Sequence, residues 1–403
     1  MRVKTADPFY FFLLIHFAFL FFFSCKDSSA PPPPLLTPVK ISPLTNDSVE
    51  KLKTKLNVRK KRQELASLFE AKFKHAGFNG NVLIAQQGII IYKGSFGLAD
   101  FKTKDSLTIG SAFQLGSSSK PLTAMALILL HEKGLLNYTQ TIDEFFPKFP
   151  YKGITIKQLL THRSGLPNYM YFCDSLYCCP DKPMSNDDLL SLMCEKKPPP
   201  YALPNKKFEY CNTNYSLLVN IVEKVSGRKF GAFMKEELFE PLGMVHTWIS
   251  DRDSNGLHKN KTTGHKANKK HYDDDYLDGI LGDKNIFTTV DDLFLFDQAL
   301  YNGKLIKKES LDEAFTGASK EHPGKRNYGY GWRMIEEKNG EKIIYHNGWW
   351  HGYNNVFYRR LKDKTTIIIL SNKITYGIYR VDDVLSILDG TPSSSAGVVD
   401  EDK

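Results

Sequence analysis

Strand-forming runs lie towards the two ends of this chain and helical runs fill its middle, and few folds accommodate that order. Asn81 to Ala85, Gln86-Gln87-Gly88 and Ile89 to Lys93 read as strand, turn and strand. Near the other end, Lys342 to His346, Asn354 to Arg360 and Thr365 to Leu370 are β-rich runs joined by Gly-containing or Lys-Asp-Lys turns. Connections that short let the runs pair as an antiparallel meander. Before the first strand, Lys51 to His75 has helical spacing, with Leu52, Leu65, Leu68, Phe69 and Phe73 as core positions. The long section between the strand groups has helical periods with many Pro or Gly breaks, and no internal repeat. The order predicts an α+β fold over residues 51–388. One antiparallel sheet is built from both chain ends and flanked by helices, and residues 121–280 form a mainly helical lobe. A cleft between the two parts is the expected place for a site.

The ends of the chain read differently. Arg2 and Lys4 precede an apolar run from Phe9 to Phe23 broken only by His16, which is the pattern of an export signal over residues 1–24. Ser24 directly before Cys25 resembles a bacterial lipoprotein processing site, although Phe22 stands where Leu is commoner. Cys25 would then be acylated and become the mature N-terminus. Secretion with Cys25 unmodified, or an uncleaved anchor, are the alternatives. Residues 25–50 hold Pro31-Pro32-Pro33-Pro34, Pro38 and Pro43, an extended linker that would hold a catalytic body off a membrane. Residues 389–403 read as a disordered tail. These features predict a bacterial cell-envelope protein, on the periplasmic or outer-surface side of a membrane. Export permits disulfides. Cys173, Cys178, Cys179 and Cys194 form a cluster expected to staple a surface insertion, with the pairing open. They contain no C-x-x-C pair, so no zinc site is expected.

Of the 403 residues 41% are hydrophobic and 25% charged, which excludes a disordered chain and a polytopic membrane protein. The net charge of +9 is dispersed, its densest run being Arg59-Lys60-Lys61-Arg62. A nucleic-acid groove needs basic residues gathered with stacking aromatics, and none is present. An anionic cell surface is a better match for such a charge.

The sharpest local feature is Phe113-Gln114-Leu115-Gly116-Ser117-Ser118-Ser119-Lys120, followed by the apolar helical run Leu122 to His131. Pro121 fits only in a first turn, so the helix begins near Ser117. Ser117 and Lys120 then lie one turn apart on one face, and the amine can reach the hydroxyl. Half-buried near another positive group, such an amine loses its proton near neutral pH and serves as a base. Ser-x-x-Lys is an acylating pair of β-lactamases and penicillin-binding proteins.

Further motifs follow in order. They are Leu159-Leu160-Thr161-His162-Arg163-Ser164-Gly165-Leu166, Tyr210-Cys211-Asn212 before a helical run, Val225-Ser226-Gly227, Pro241-Leu242-Gly243-Met244 and His346-Asn347-Gly348. With the Ser-x-x-Lys segment, the chain from about residue 60 to 375 resembles the β-lactamase-related serine hydrolases: class C β-lactamases, penicillin-binding proteins, D-aminopeptidases and related esterases. The resemblance implies Ser117 as nucleophile, Lys120 as its activating amine and Tyr210 as a partner in proton transfer. It implies Asn212, His346, Gly348 and Trp349 as substrate-binding residues, His346 either receiving a substrate carboxylate or tuning the Tyr210–Lys120 pair, with the backbone N–H groups of Ser117 and Trp349 receiving the oxyanion. The expected function is hydrolysis through an acyl-enzyme of D-amino-acid peptides, peptidoglycan-derived among them, or of small esters, with at most weak β-lactamase activity. The alternative is a catalytically silent protein that binds cell-wall peptides. No cofactor and no metal are expected.

Departures from the family pattern sharpen this. His346 and Asn347 replace the Lys and Thr of class C β-lactamases, and a neutral His lacks a fixed charge for a β-lactam carboxylate. Trp349-Trp350-His351 brings two indoles to the cleft rim in place of small residues. Cys211 reads as a buried filler, His162 and Ser164 as structural, and Asp273-Asp274-Asp275 as a solvated loop without EF-hand spacing.

Overall fold

The computed structural model describes residues 46–392, apart from 180, 251–257, 304, 320, 322–325 and 339. The export signal, Cys25, the proline linker up to residue 45 and the tail from residue 393 lie outside the described residues. Among the described residues, no helix is long and apolar enough to cross a membrane.

The chain enters through α1 (Asn46–Lys55) and α2 (Val58–Ala76). One continuous helix was expected here. The break falls at Asn57, whose φ of 54° is left-handed, a conformation that Asn tolerates better than most residues. Leu65 and Phe69 are buried, whereas Phe73 is 39% exposed and only covers the edge of Phe96 at 5.9 Å, so it is not a core residue. Gly77, at φ 67°, ends α2.

Strands β1 (Gly80–Gln86) and β2 (Ile89–Phe96) form the first hairpin. Short β3 (Phe113–Gln114) leads into a 3-10 turn at Gly116–Ser119 and then α3 (Lys120–Glu132), with Pro121 in its first turn. Helices including Asn186–Lys196 and Asn212–Ser226 build the lobe. Short β4 (Trp248–Ile249) and β5 (Ile286–Thr288) join β3 in a small sheet ordered β3-β5-β4.

The chain then passes through the Val290–Asn302 helix into β6 (Arg326–Tyr328), β7 (Arg333–Glu336), β8 (Lys342–Trp350), β9 (Tyr353–Arg360) and β10 (Thr365–Ser371). The large sheet runs β2-β1-β10-β9-β8-β7-β6. Its pairs are antiparallel, and the β1–β10 pair, from Gly80 opposite Ser371 to Gln86 opposite Thr365, joins the two chain ends as expected.

Side-chain alternation sorts this sheet into two cores. Val82, Ile84, Ile367 and Ile369 pack with Val58, Leu65, Phe69 and the Asp382–Asp389 helix. Leu83, Ala85, Phe357, Ile368 and Leu370 join α3 and the helical lobe. A sheet buried on both faces holds its strands rigidly, which matters because β8 borders the site described next.

The cysteines depart from expectation. All five described cysteines are free thiols. Cys173 sits in the core beside Met184, and only Cys178 and Cys179 are exposed, so the cluster does not staple a surface insertion.

Candidate active site

The turn carrying Ser117 is wedged between α3 and β8. Gly348 explains the close approach, because a Cβ there would lie 1.9 Å from the Leu115 carbonyl oxygen and 3.0 Å from Ser118 Oγ. Ser118 is fully buried and donates to the His346 carbonyl at 2.9 Å, and Ser119 Oγ accepts from the Ile286 N–H at 3.2 Å. Both flanking serines are thus held in packing, while Ser117 alone of the three is partly accessible.

Ser117 Oγ receives two donors. Lys120 Nζ donates at 3.0 Å and Tyr210 Oη at 2.9 Å. Lys120 Nζ also donates to the Asp283 carbonyl oxygen at 3.2 Å and lies 4.9 Å from the centre of the Tyr210 ring. The amine is fully buried. Burial brings it down to about 7, opposed by the negative charge of Asp283 and assisted by the positive charge of Arg333. A lysine so placed is substantially neutral at physiological pH, and only in that form can it take the hydroxyl proton.

Tyr210 is held from behind. His162, fully buried at φ 55°, packs its ring 4.4 Å from that of Tyr210, and its Nδ1 accepts from the Cys211 N–H at 3.2 Å. Burial and the nearby Lys120 keep this imidazole well below its usual pKa, hence neutral. Ser164 donates to Asn214 at 2.6 Å. Cys211 is buried, as expected of a filler.

A cavity of about 570 Å³ opens onto Ser117, lined among others by Tyr210, Asn212, Arg333, Asn347, Gly348 and Trp349. Asn212 opens its helix and aims into this space. Its Nδ2 contacts Met170 Sδ at 2.8 Å, while its Oδ1 has no protein partner and is left to accept from a bound molecule. Trp349 is 39% exposed at the rim, whereas Trp350 is buried over Lys284, 4.8 Å from ring centre to Nζ, so one indole rather than two forms the outer edge.

His346 stands beside the Tyr210–Lys120 pair and not in the cavity. It is fully buried, does not line the cavity, and hydrogen-bonds Tyr328 Oη through Nε2 at 3.1 Å and the Asn347 carbonyl through Nδ1 at 2.7 Å. Alternation along β8 turns it away from the face on which Asn347 borders the cleft, so its contact is with the machinery, 6.2 Å from the Tyr210 ring, and not with a ligand.

Two groups have no motif to announce them. Arg333, on β7 beside Tyr345 of β8, lines the cavity and lies 4.9 Å from the Tyr210 ring. Asp283 and Lys284 join Tyr169 in a buried triad: Tyr169 Oη donates to Asp283 at 2.7 Å, and Lys284 Nζ donates to Tyr169 Oη at 2.6 Å. That triad fixes the carbonyl which receives Lys120.

The Beta-lactamase family model matches residues 65–387. The chain belongs to the beta-lactamase family. Among family relatives, it is 37% identical over 330 residues to penicillin-binding protein 4* of Bacillus subtilis, covering 78% of this chain and 72% of that protein. Two solved structures share the beta-lactamase fold. The penicillin-binding protein of Bacillus halodurans has a TM-score of 0.70 at 21% identity, covering 80% of this chain and 98% of that one. The D-amino acid amidase of Ochrobactrum anthropi has a TM-score of 0.68 at 21% identity, covering 83% and 99%.

Proposed function

We propose that this beta-lactamase-family protein is an exported acyl-transfer hydrolase that cleaves peptides ending in D-amino acids, or small esters, through Ser117. The observation that carries the reading is the pair of donors on one oxygen: Lys120 and Tyr210 both reach Ser117 Oγ within 3.0 Å. As Ser117 Oγ attacks the carbonyl carbon, its proton passes to neutral Lys120, and the oxyanion forms between the N–H groups of Ser117 and Trp349. Proton transfer through Tyr210 then delivers a hydrogen to the leaving amine or alkoxide. Water attacks the ester, gives up its proton to the same pair, and releases the acid.

Arg333 supports a substrate with a free carboxylate, since it brings a fixed positive charge to the cleft that His346 does not. The amide-capable Asn212 suits a peptide flank. The names of the relatives, a penicillin-binding protein and a D-amino acid amidase, point the same way. Envelope localisation through an acylated Cys25 is part of the proposal and rests on the sequence of the N-terminus alone.

Intact-mass analysis after incubation with a fluorophosphonate or a fluorescent penicillin tests the chemistry. One adduct is expected on the wild type and none on Ser117→Ala. An adduct that survives Ser117→Ala refutes the nucleophile, and no adduct with either probe favours a silent binding protein. Turnover of a D-Ala-D-Ala peptide, p-nitrophenyl acetate and nitrocefin tests the substrate order. Rapid turnover of nitrocefin alone reverses it.

A further inference from the structure

A second cavity, of about 330 Å³, is lined by Asp274, Asp275, Asp278 and His351, with Lys261 and His271 also on its wall. Nothing in the acyl-transfer chemistry uses it. His351 follows Trp350 at the turn between β8 and β9 and holds a left-handed φ of 35°, a strained conformation for a residue with a side chain. Its ring is clamped between two aromatic faces, Trp350 at 4.2 Å and 24° and Tyr272 at 4.8 Å and 15°. The clamp leaves the imidazole little rotational freedom and points both nitrogens at carboxylates. Nε2 lies 3.5 Å from Asp275 and Nδ1 3.2 Å from Asp278.

The side chain of His351 is only 9% exposed, yet Nδ1 makes no hydrogen bond. A buried ring nitrogen held rigid, facing a carboxylate but out of line for a hydrogen bond, is placed as a ligand. One donor atom from each of Asp274, Asp278 and His351 can be chosen so that all lie within 4.8 Å of one another. Atoms that close converge on an ion at about 2.0–2.2 Å with small side-chain rotations. Asp278 is supported in turn, because its other oxygen accepts from Trp350 Nε1 at 2.5 Å, the outer contact that metal-binding carboxylates commonly have. The local field is negative. Three carboxylates, those of Asp274, Asp275 and Asp278, line the cavity beside one lysine, Lys261.

We propose that Asp274, Asp278 and His351 form a binding site for a divalent first-row transition ion, with Zn²⁺ or Mn²⁺ as the occupants suited to one imidazole and two carboxylates. The bound ion fastens the 274–278 segment to the β8–β9 turn. That turn follows Trp349 and Trp350, both of which line the catalytic cavity. The site is independent of the hydrolase reading.

Mn²⁺ alone is the probe, because exposed Cys178 and Cys179 are poor ligands for it and would bind Zn²⁺. Electron paramagnetic resonance on the full chain should count one bound Mn²⁺ that added Zn²⁺ displaces. Affinity should fall at least about 10–100-fold in both Asp274→Asn and His351→Gln, since losing a direct ligand costs no less than losing an outer-shell partner. Asp274 is exposed, so Asp274→Asn keeps the fold and decides the matter even if His351→Gln does not fold. Absence of a bound ion in the wild type, or full affinity in a folded variant, overturns the site.

Discussion

The backbone of Trp349 passes directly over Gly116. At φ 53°, Gly116 would place any Cβ 2.9 Å from the N, C and O atoms of Trp349. The Ser117 turn and the edge of β8 are therefore in contact through a residue that can have no side chain. In Gly116→Ala the main chain of Trp349 must move, and its N–H leaves the place where charge develops. The expected loss in kcat is about 10²–10³-fold, that of removing one oxyanion donor, with a smaller change in KM. Steady-state kinetics on p-nitrophenyl acetate checks it, and a kcat within threefold of wild type (a difference of about 0.65 kcal/mol) refutes the role given to Trp349.

In the proposed mechanism Lys120 is a base only when neutral, and burial sets its proton loss at about 7. The profile of kcat/KM against pH should accordingly climb through about 7, low on the acid side where the amine is charged and level above. Arg333 lowers this value through its positive charge, so Arg333→Gln should move the rising limb to higher pH. A limb that stays in place shows that the titrating group is not the amine beside Arg333.

If Arg333 receives a substrate carboxylate, its value depends on that carboxylate. A charge-assisted hydrogen bond contributes about 1.5–3 kcal/mol, or roughly 10–150-fold in kcat/KM. Arg333→Gln should lose that factor on a D-Ala-D-Ala peptide with a free terminus and little on the same peptide as its amide. Equal losses on both would assign Arg333 to the Tyr210–Lys120 machinery instead.

Away from the site, Arg359 of β9 is fully buried and pairs with Asp297 of the Val290–Asn302 helix at 2.5 Å, and Thr366 of β10 also donates to Asp297 at 2.7 Å. Arg359→Met strands a buried carboxylate. Breaking such a pair costs about 3–5 kcal/mol, whereas Arg359→Met combined with Asp297→Leu should recover much of it. Urea denaturation of the three proteins measures both numbers.

Much of the framework could be read from local pattern. Short β-rich runs bounded by turns marked the first hairpin and the terminal meander, because a sheet between two layers needs apolar side chains on both faces. Ser117 and Lys120 were legible together because three residues of helix bring them onto one side. Asn57 was less legible. Its left-handed turn is a choice between two helices and one that hydrophobic spacing does not record. Phe73 was misplaced for the same reason: periodicity states which residues are apolar, and the neighbouring segment decides which of them is covered. Cys173 was misplaced because the spacing of cysteines does not say which of them the core encloses.

Arg333 and the Asp283–Lys284–Tyr169 triad had no signal of spacing, and of the cluster around His351 the sequence showed only the Asp273-Asp274-Asp275 run, read as a solvated loop, since the members come from distant parts of the chain. His346 shows the limit of a motif. The motif located the strand, but the register of β8 against β9 turned that imidazole inward and left Asn347 facing the cleft.

By itself the amino-acid order determined the strands, the nucleophile turn and the identity of the amine one helical turn away, because these depend on distances along a single element. Only the tertiary structure decided that Tyr210 meets Ser117, that Lys120 is dry enough to shed its proton near neutrality, and that Arg333 lines the cleft. Those properties depend on which remote segments exclude water from one another, and burial is a relation between segments that no stretch of sequence contains alone.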